Sequence, residues 1–496
     1  MKKSQQAKNR AESQALSQSK SQVKSKGKSK GDKPAANEQQ TVSPIDGSVY
    51  VSRQLAGKER VNACVDRAVQ AKLSWQATAL DTRKVICQRA IDILLSHKEE
   101  IGLELSWMIG RPIRYTGGEL HGVAERSEYM ISVSDEALTT LTLLEKPGLT
   151  RYIKREPLGV VLVIAPWNYP FLTAVNAIIP ALLAGNCVIL KHSAQTPLCA
   201  ERFYQAFDEA GLPEGVFQFL HLSHESTTEL IGCKEINYVA FTGSVEGGIR
   251  VEKAALGRFI GVGLELGGKD PAYVRQDADI EKAVETIIDG AFFNSGQSCC
   301  GIERVYVHRS VYDEFVAQSV ALTLQYKLGR ADDPDATLGP MVRTSAADFV
   351  RAQVKEAIAQ GAVAHIDESL FEMSQEGTAF LAPQILTQVN HLMRVMTEES
   401  FGPVMGIMKV SDDQEALELM NDSPFGLTAS IFTKDIETGI ALGELIETGT
   451  FFLNRCDYLD PALAWTGVKQ SGRGCSLSQL GFDYLTRPKS FYIKHD

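Results

Sequence analysis

The run GVVLVIAPWNYPFLTAVNAIIPALLAGNCVILKHS, residues 159–193, decides how this chain is organised. GVVLVIAPWN (159–168) is a short, nearly uninterrupted apolar stretch rich in β-branched residues, which predicts a buried strand. The next segment, 169–185, is long enough and apolar enough for a helix, and Gly185 is suited to close it. NCVILKHS (186–193) predicts a second buried strand. A helix over 197–211 follows, with Pro197 at its first turn. VFQFLHL (216–222), a helix and NYVAFTGS (237–244) repeat the unit. Strand and helix alternating at this period predict an α/β fold with a parallel, doubly wound sheet, whose ligands sit at the carboxyl ends of the strands.

Those ends carry chemistry. The first strand runs into Pro166, Trp167 and Asn168, an uncharged amide donor; the second ends at Lys191 and Ser193. The fourth runs into Thr242, Gly243 and Ser244, just before a helix whose free N–H groups suit a phosphate. GVGLEL (261–266) begins like a dinucleotide fingerprint but breaks it at Leu266. In GLELGGK (263–269), Glu265 lies among apolar and glycine residues, where desolvation raises a carboxyl pKa and makes a candidate base. FFNSGQSCCGIERVYVH (292–308) then sets Cys299 beside Cys300. Neighbouring side chains diverge by about 180° on a strand or 100° on a helix, so only one of the two thiols is expected to face a given pocket.

Bulk properties bound the rest. The chain has 496 residues, 44% of them hydrophobic, and no apolar run long enough to span a membrane, so no membrane insertion is expected. Nine scattered cysteines without a CxxC pair suggest neither a disulfide framework nor zinc. No metal is expected, and a reducing, cytoplasmic location is. The net charge of −10 conceals a basic leader, for residues 1–40 hold ten basic and three acidic residues. Residues 1–41 read as a disordered basic tail with too little apolar surface to fold. At most the tail makes weak, salt-sensitive contacts; no specific nucleic-acid binding is expected. A second αβ segment follows from about residue 270, with helices over 309–326 and 345–360 and a strand near 401–410. The alternating segments 139–157 and 484–496 read as two-sided ribbon arms whose exposed edges invite pairing with another chain, hence a homo-oligomer.

Seven motifs in order, PWN (166–168), LKHSAQTP (190–197), FTGS (241–244), ELGGK (265–269), GQSC (296–299), EESFGP (398–403) and TGVKQSG (466–472), resemble the aldehyde dehydrogenase superfamily. The resemblance covers residues 42–496. It implies a variant Rossmann cofactor domain over 42–262 interrupted by the 139–157 ribbon, and a catalytic αβ domain over 263–440. Residues 441–496 are implied to return to the cofactor domain and end in an oligomerisation strand, in a dimer or tetramer. It implies that Cys299 is the nucleophile, that Asn168 holds the oxyanion, and that Glu265 activates the water that hydrolyses a thioester. Cys300 is then expected to point elsewhere. By the same resemblance Lys191, Ser193, Ser244, Leu266, Glu399 and Phe401, with Pro166, Trp167, Thr242 and Gly243, bind NAD or NADP, NAD somewhat ahead.

Two departures from the family pattern, and one arginine, bear on function. Ala194 stands where NAD-preferring members often carry an acid, and His192 is an expected aid to a 2′-phosphate. Ala177 replaces a lysine thought to relay protons, which leaves the proton's exit route open. Arg455 near the substrate mouth suggests a semialdehyde acid as one substrate, with an apolar or general aliphatic aldehyde somewhat ahead of it. A coenzyme A-acylating enzyme and a non-catalytic scaffold compete with aldehyde oxidation as functions, and intact Glu265 speaks against both. The mouth itself is expected from Tyr169, the 120–130 helix, residues 298–301 and the 454–465 loop, including Asp457 and Trp465.

Overall fold

A computed structural model describes residues 37–495. Most of the expected tail lies outside these residues. Its last part does not stay unstructured, because Glu38–Val42 pairs antiparallel with Val49–Gln54, and Thr41 Oγ1 donates to the Ala194 carbonyl at 2.9 Å. The 1–41 boundary is therefore too late: once chain polarity alternates with partly buried positions, backbone pairing becomes available.

Two sheets dominate, each parallel except for one short antiparallel edge strand, Gly472–Arg473 in the first and Val363–Ala364 in the second. The first has six strands in the order Gly472–Arg473, Gly261–Glu265, Ile236–Thr242, Val160–Ala165, Cys187–His192, Phe217–Phe219. Every side chain of Val160–Ala165 and of Cys187–His192 is buried, as strands covered by helices on both faces require, including Lys191 and His192 at the carboxyl end of the second. The Pro170–Leu183 helix starts on Pro170 and is followed by Gly185 at φ +93°. Parallel register sets Ile164 beside Lys191 and Thr242 beside Glu265, so the expected site residues share one edge. The second sheet has seven strands in the order Val363–Ala364, Gln384–Thr387, Val404–Val410, Ile302–His308, Asp270–Val274, Thr428–Phe432, Thr450–Leu453.

Sheet membership moves two of the expected boundaries. Gly261–Glu265 pairs with Ile236–Thr242, so a break at 262 cuts a strand of the first sheet. Thr450–Leu453 pairs with Thr428–Phe432, so the return to the first sheet begins after 453 rather than at 441. The two ribbon arms pair with each other: Thr486–Lys494 lies antiparallel along Leu149–Pro157, with Leu141–Thr142 on the far side. Among the described residues no helix is long and apolar enough to cross a membrane.

A buried ion pair pins the segment that joins the first sheet to the second. Lys269 and Glu303, 1% and 5% exposed, bond to each other, and Lys269 Nζ also donates to Ser400 Oγ at 3.0 Å. Glu303 accepts from the backbone N–H groups of Ser400 and Phe401, both at 2.8 Å. ELGGK is thus bolted to EESFGP. Removing one partner of a buried pair leaves an uncompensated charge and costs about 3–5 kcal/mol. Glu303→Ala is expected to lose that much stability, read as a lower denaturant midpoint; an unchanged midpoint contradicts the assigned role.

Candidate active site

The GQSC loop is built from unusual backbone. Asn294, Ser295 and Gly296 have φ of 52°, 57° and 68°, three left-handed residues in a row. Such conformations cost of order 1–3 kcal/mol each for residues with a side chain and persist where surroundings over-determine them. At Gly296 the surroundings do so sterically as well: a Cβ would sit 2.3 Å from the Gly402 carbonyl oxygen. Gln297 holds the loop from both sides. Its Oε1 accepts from Val342 N at 2.7 Å, its Nε2 donates to the Asn294 carbonyl at 3.0 Å, and its carbonyl accepts from Asn168 Nδ2 at 3.1 Å. Asn168 is 5% exposed, and its own carbonyl accepts from Arg111, whose guanidinium also pairs with buried Glu119.

Cys299 comes next, half-buried, lining two cavities at once. Its carbonyl lies 2.3 Å from where a Cβ on Gly268 would be, so the second glycine of ELGGK is there to let the thiol loop approach. Cys300 corrects the expectation that it points elsewhere. Residues 297–301 form a loop without strand or helix alternation, and both thiols line the same cavity. They differ in environment: Cys300 is 3% exposed and its thiol donates to Asp457 Oδ1 at 2.8 Å. Its hydrogen bond with Cys299 and its burial, with Asp457 beside it, push the Cys300 thiol well above its usual pKa. It stays protonated.

The first cavity, about 640 Å³, is the expected mouth. Tyr169, Gly118, His121, Gly122, Glu125, Ser298, Tyr458 and Trp465 line it together with Glu265. Arg455 does not: its guanidinium lies 3.9 Å from the Tyr458 ring centroid, outside the lining. The cation there is Arg126, 8% exposed, whose Nη1 donates to the Leu172 carbonyl at 2.9 Å and Asn176 Oδ1 at 3.1 Å. No motif singles out Arg126, although a lone arginine among Val123, Ser127 and Met130 on a helix's buried face is a signal. Asp289 belongs to no motif either. It reaches the cavity from the Ile280–Phe292 helix, and its carboxylate makes no hydrogen bond or ion pair among the described residues. Asp289 is exposed, yet the protein around it desolvates its carboxylate enough to raise its pKa, and burial raises Asp457 to about 7 against the donations of Cys300 and Ser298.

Glu265 is enclosed. Thr242 Oγ1 donates to its Oε2 at 3.1 Å and Ser476 Oγ to its Oε1. Desolvation raises its pKa above the usual carboxylate value in spite of both donors and of Arg126 nearby.

The second cavity, about 430 Å³, lies on the other side of Cys299. All ten expected cofactor residues line it: Pro166, Trp167, Lys191, Ser193, Thr242, Gly243, Ser244, Leu266, Glu399 and Phe401. Ser244 caps the Val245–Ala255 helix, accepting from Gly247 N at 3.2 Å, as expected. Leu266 has its N–H committed to the Ser471 carbonyl at 3.0 Å, so only its carbonyl is left to offer. Glu399 accepts from Gly268 N at 3.0 Å, and desolvation followed by the charge of Glu303 lifts its pKa to about 8. The Lys191 ammonium makes no hydrogen bond or ion pair among the described residues, and desolvation lowers it to about 8. His192 corrects another expectation. It is 2% exposed, bonded to the Pro170 carbonyl and Thr196, and held neutral by burial at about 3, so it faces away from any phosphate. A buried, unpartnered ammonium at one end and a half-satisfied carboxylate at the other fit a dinucleotide that is anionic in its middle and carries ribose hydroxyls.

Comparison with known proteins agrees with this geometry. The model of the aldehyde dehydrogenase family matches residues 32–491. The chain is 32% identical to betaine aldehyde dehydrogenase 2 of Rhizobium meliloti, covering 91% of this chain and 93% of the relative. It is 32% identical to a succinate semialdehyde dehydrogenase (NAD(P)+) of Escherichia coli, covering 90% and 94%. The solved NADP-dependent glyceraldehyde-3-phosphate dehydrogenase of Bacillus halodurans C-125, complexed with NADP, superposes with a TM-score of 0.87 at 32% identity, covering 93% and 96%. The chain belongs to the aldehyde dehydrogenase family and is an NAD(P)-dependent oxidoreductase that oxidises aldehydes.

Proposed function

We propose that Cys299 attacks the aldehyde carbon, that Asn168 and the Cys299 N–H hold the resulting oxyanion, and that Glu265 activates the water that releases a carboxylic acid. The observation that carries this reading is the position of Cys299 between a carboxylate-lined cavity and a dinucleotide-shaped one. Asn168 spends one amide N–H on Gln297 and keeps the other. A preorganised donor of this kind is worth about 3–4 kcal/mol to an oxyanion. Lys191, Ser244 and Glu399 hold the dinucleotide, which when bound supplies the hydride acceptor. Glu265, enclosed and raised in pKa, is a better proton acceptor than an exposed carboxylate. Its presence disfavours transfer of the acyl group to coenzyme A. Cys299→Ala is expected to abolish aldehyde-dependent cofactor reduction without coenzyme A, and Cys300→Ala to keep it within about tenfold; the reverse pattern refutes the assignment.

The substrate class follows from charge. Glu125, Glu265, Asp289 and Asp457 line the cavity against Arg126 and His121, and Arg126 is already hydrogen-bonded. An aldehyde carrying an ammonium group suits that balance, with the Phe293 and Trp465 rings beside it. A semialdehyde acid meets repulsion there, and Arg455 lies outside the lining. Relatives of both kinds are known, one named for betaine aldehyde and one for succinate semialdehyde. Both dinucleotides are accepted in this reading. Ala194 is exposed and brings no carboxylate against a 2′-phosphate, so the NAD lead expected from the family is narrow. Asp289→Asn, assayed with NAD and NADP in parallel, is expected to raise KM for a quaternary-ammonium aldehyde by about fivefold to tenfold. KM for a neutral aldehyde of equal length stays unchanged; equal shifts for both substrates contradict the charge argument.

The chain works as a homo-oligomer in the cytoplasm. The Thr486–Lys494 strand supports the first point, with one edge unpaired among the described residues. Light scattering on the full chain is expected to give a dimer or tetramer mass, and a monomer mass rejects this part of the reading.

A further inference from the structure

The wall of the substrate cavity holds hydrogen-bond donors that the reaction so far leaves idle. Two helices meet there, Ile113–Ala137 and Pro170–Leu183. They approach closely at Gly122, where a Cβ would lie 2.7 Å from Leu172 Cδ2. Arg126, one turn further along the first helix and on the same face, reaches the second helix beside that contact. Its Nη1 donates to the Leu172 carbonyl at 2.9 Å and to Asn176 Oδ1 at 3.1 Å, which engages both N–H bonds of that nitrogen. Its Nε and Nη2 have no partner among the described residues. Asn176 is 3% exposed, and its Nδ2 is enclosed without a partner among the described residues. Because Oδ1 accepts from Arg126, the orientation of the amide is fixed and its donor end is the one left over.

Buried donors without acceptors are costly and rare, so an idle set on a cavity wall marks where a ligand brings an oxygen. Arg126 and Asn176 both line the cavity that holds Cys299 and Glu265. Arg126 lies within electrostatic reach of Glu265, Cys300 and Cys299, which places these donors near the reacting carbon. The charge of Arg126 is already met by Glu265 and Asp457, and Glu125 and Asp289 add two further carboxylates to the lining. A carboxylate on the substrate is therefore disfavoured and an uncharged oxygen favoured. A hydroxyl suits the place best, because it accepts from an N–H on one side and donates its own proton to a carboxylate on the other.

Resting on the reading of this cavity as the substrate's, we propose that Arg126 and Asn176 form an oxygen subsite that selects aldehydes bearing a hydroxyl group close to the aldehyde carbon. Neither residue belongs to any of the seven motifs. The subsite complements the preference for an ammonium group: the carboxylates receive the cation and the donor pair receives the hydroxyl. A cationic aldehyde with a hydroxyl on the intervening chain satisfies both. An aldehyde without the hydroxyl leaves Asn176 Nδ2 unpaired in a buried place, and a site built to bond a hydroxyl discriminates against the analogue that lacks it.

The test measures kcat/KM by cofactor reduction in the full chain for butanal and for its two forms hydroxylated on the second or the third carbon. Wild type is expected to favour one hydroxylated form over butanal by about tenfold to a hundredfold. Asn176→Asp keeps an oxygen for Arg126 and removes only the Nδ2 donor; Arg126→Met removes the guanidinium donors. Each is expected to lower the hydroxyl preference by about fivefold or more. Losses of folded protein or of the function of Glu265 act on all three substrates alike and cancel in the ratio. No preference for either hydroxylated form in wild type overturns the subsite, as does a preference that survives unchanged in either variant. An unchanged KM for all three aldehydes in Trp465→Ala shows instead that the cavity itself is misassigned, a separate failure. The ammonium preference is read independently by Asp289→Asn, which leaves the hydroxyl ratio as it is in wild type.

Discussion

Three consecutive positive φ values, at Asn294, Ser295 and Gly296, bring the chain around so that Cys299 emerges between two cavities instead of continuing the helix before it. Asn and Ser bear a conformational cost there that a straight helix would avoid. Gln297 offsets it with bonds to Val342, Asn294 and Asn168, and buried Arg111 fixes the backbone of Asn168 in turn. The thiol and the amide donor are therefore one rigid unit. In the proposed mechanism the oxyanion donor, Asn168, is placed by the same contacts that place the nucleophile, which is what preorganisation requires.

Electrostatics divide the space around that unit. In the second cavity the Lys191 ammonium is unpartnered and Glu399 has a raised pKa, which suits the dinucleotide site proposed there. Toward the substrate, carboxylates outnumber cations, and Arg126 spends its charge steadying Glu265 and Asp457 from a buried seat. The adjacent thiols show how local this control is. One contacts a carboxylate and is kept protonated; the other borders open space on two sides. Neighbours in sequence thus have different chemistry without pointing in opposite directions.

Much of this is legible in the residues. Apolar runs ending in Asn168, Lys191 and Thr242 mark parallel strands, because only a strand covered on both faces is that uniformly apolar. Gly185 and Pro170 bound a helix for reasons local to their backbones. What stays hidden depends on contacts distant in sequence. Arg126 meets Asn176 across 50 residues, and Ser476 meets Glu265 across 211. His192 looks like a phosphate ligand until the Pro170 carbonyl shows that it faces inward. The two ribbon segments read as free edges, yet they satisfy each other over nine paired positions, from Thr486 with Pro157 to Lys494 with Leu149. The cysteine pair departs from expectation because strand and helix geometry does not carry over to a loop.

The most direct measurement is peptide mapping by mass spectrometry after the full chain is mixed with aldehyde and oxidised cofactor and quenched in acid during turnover. An acyl group on the sulfur of Cys299, with Cys300 unmodified, is the predicted result. Acyl on Cys300, or sustained oxidation with neither sulfur ever acylated, contradicts the account.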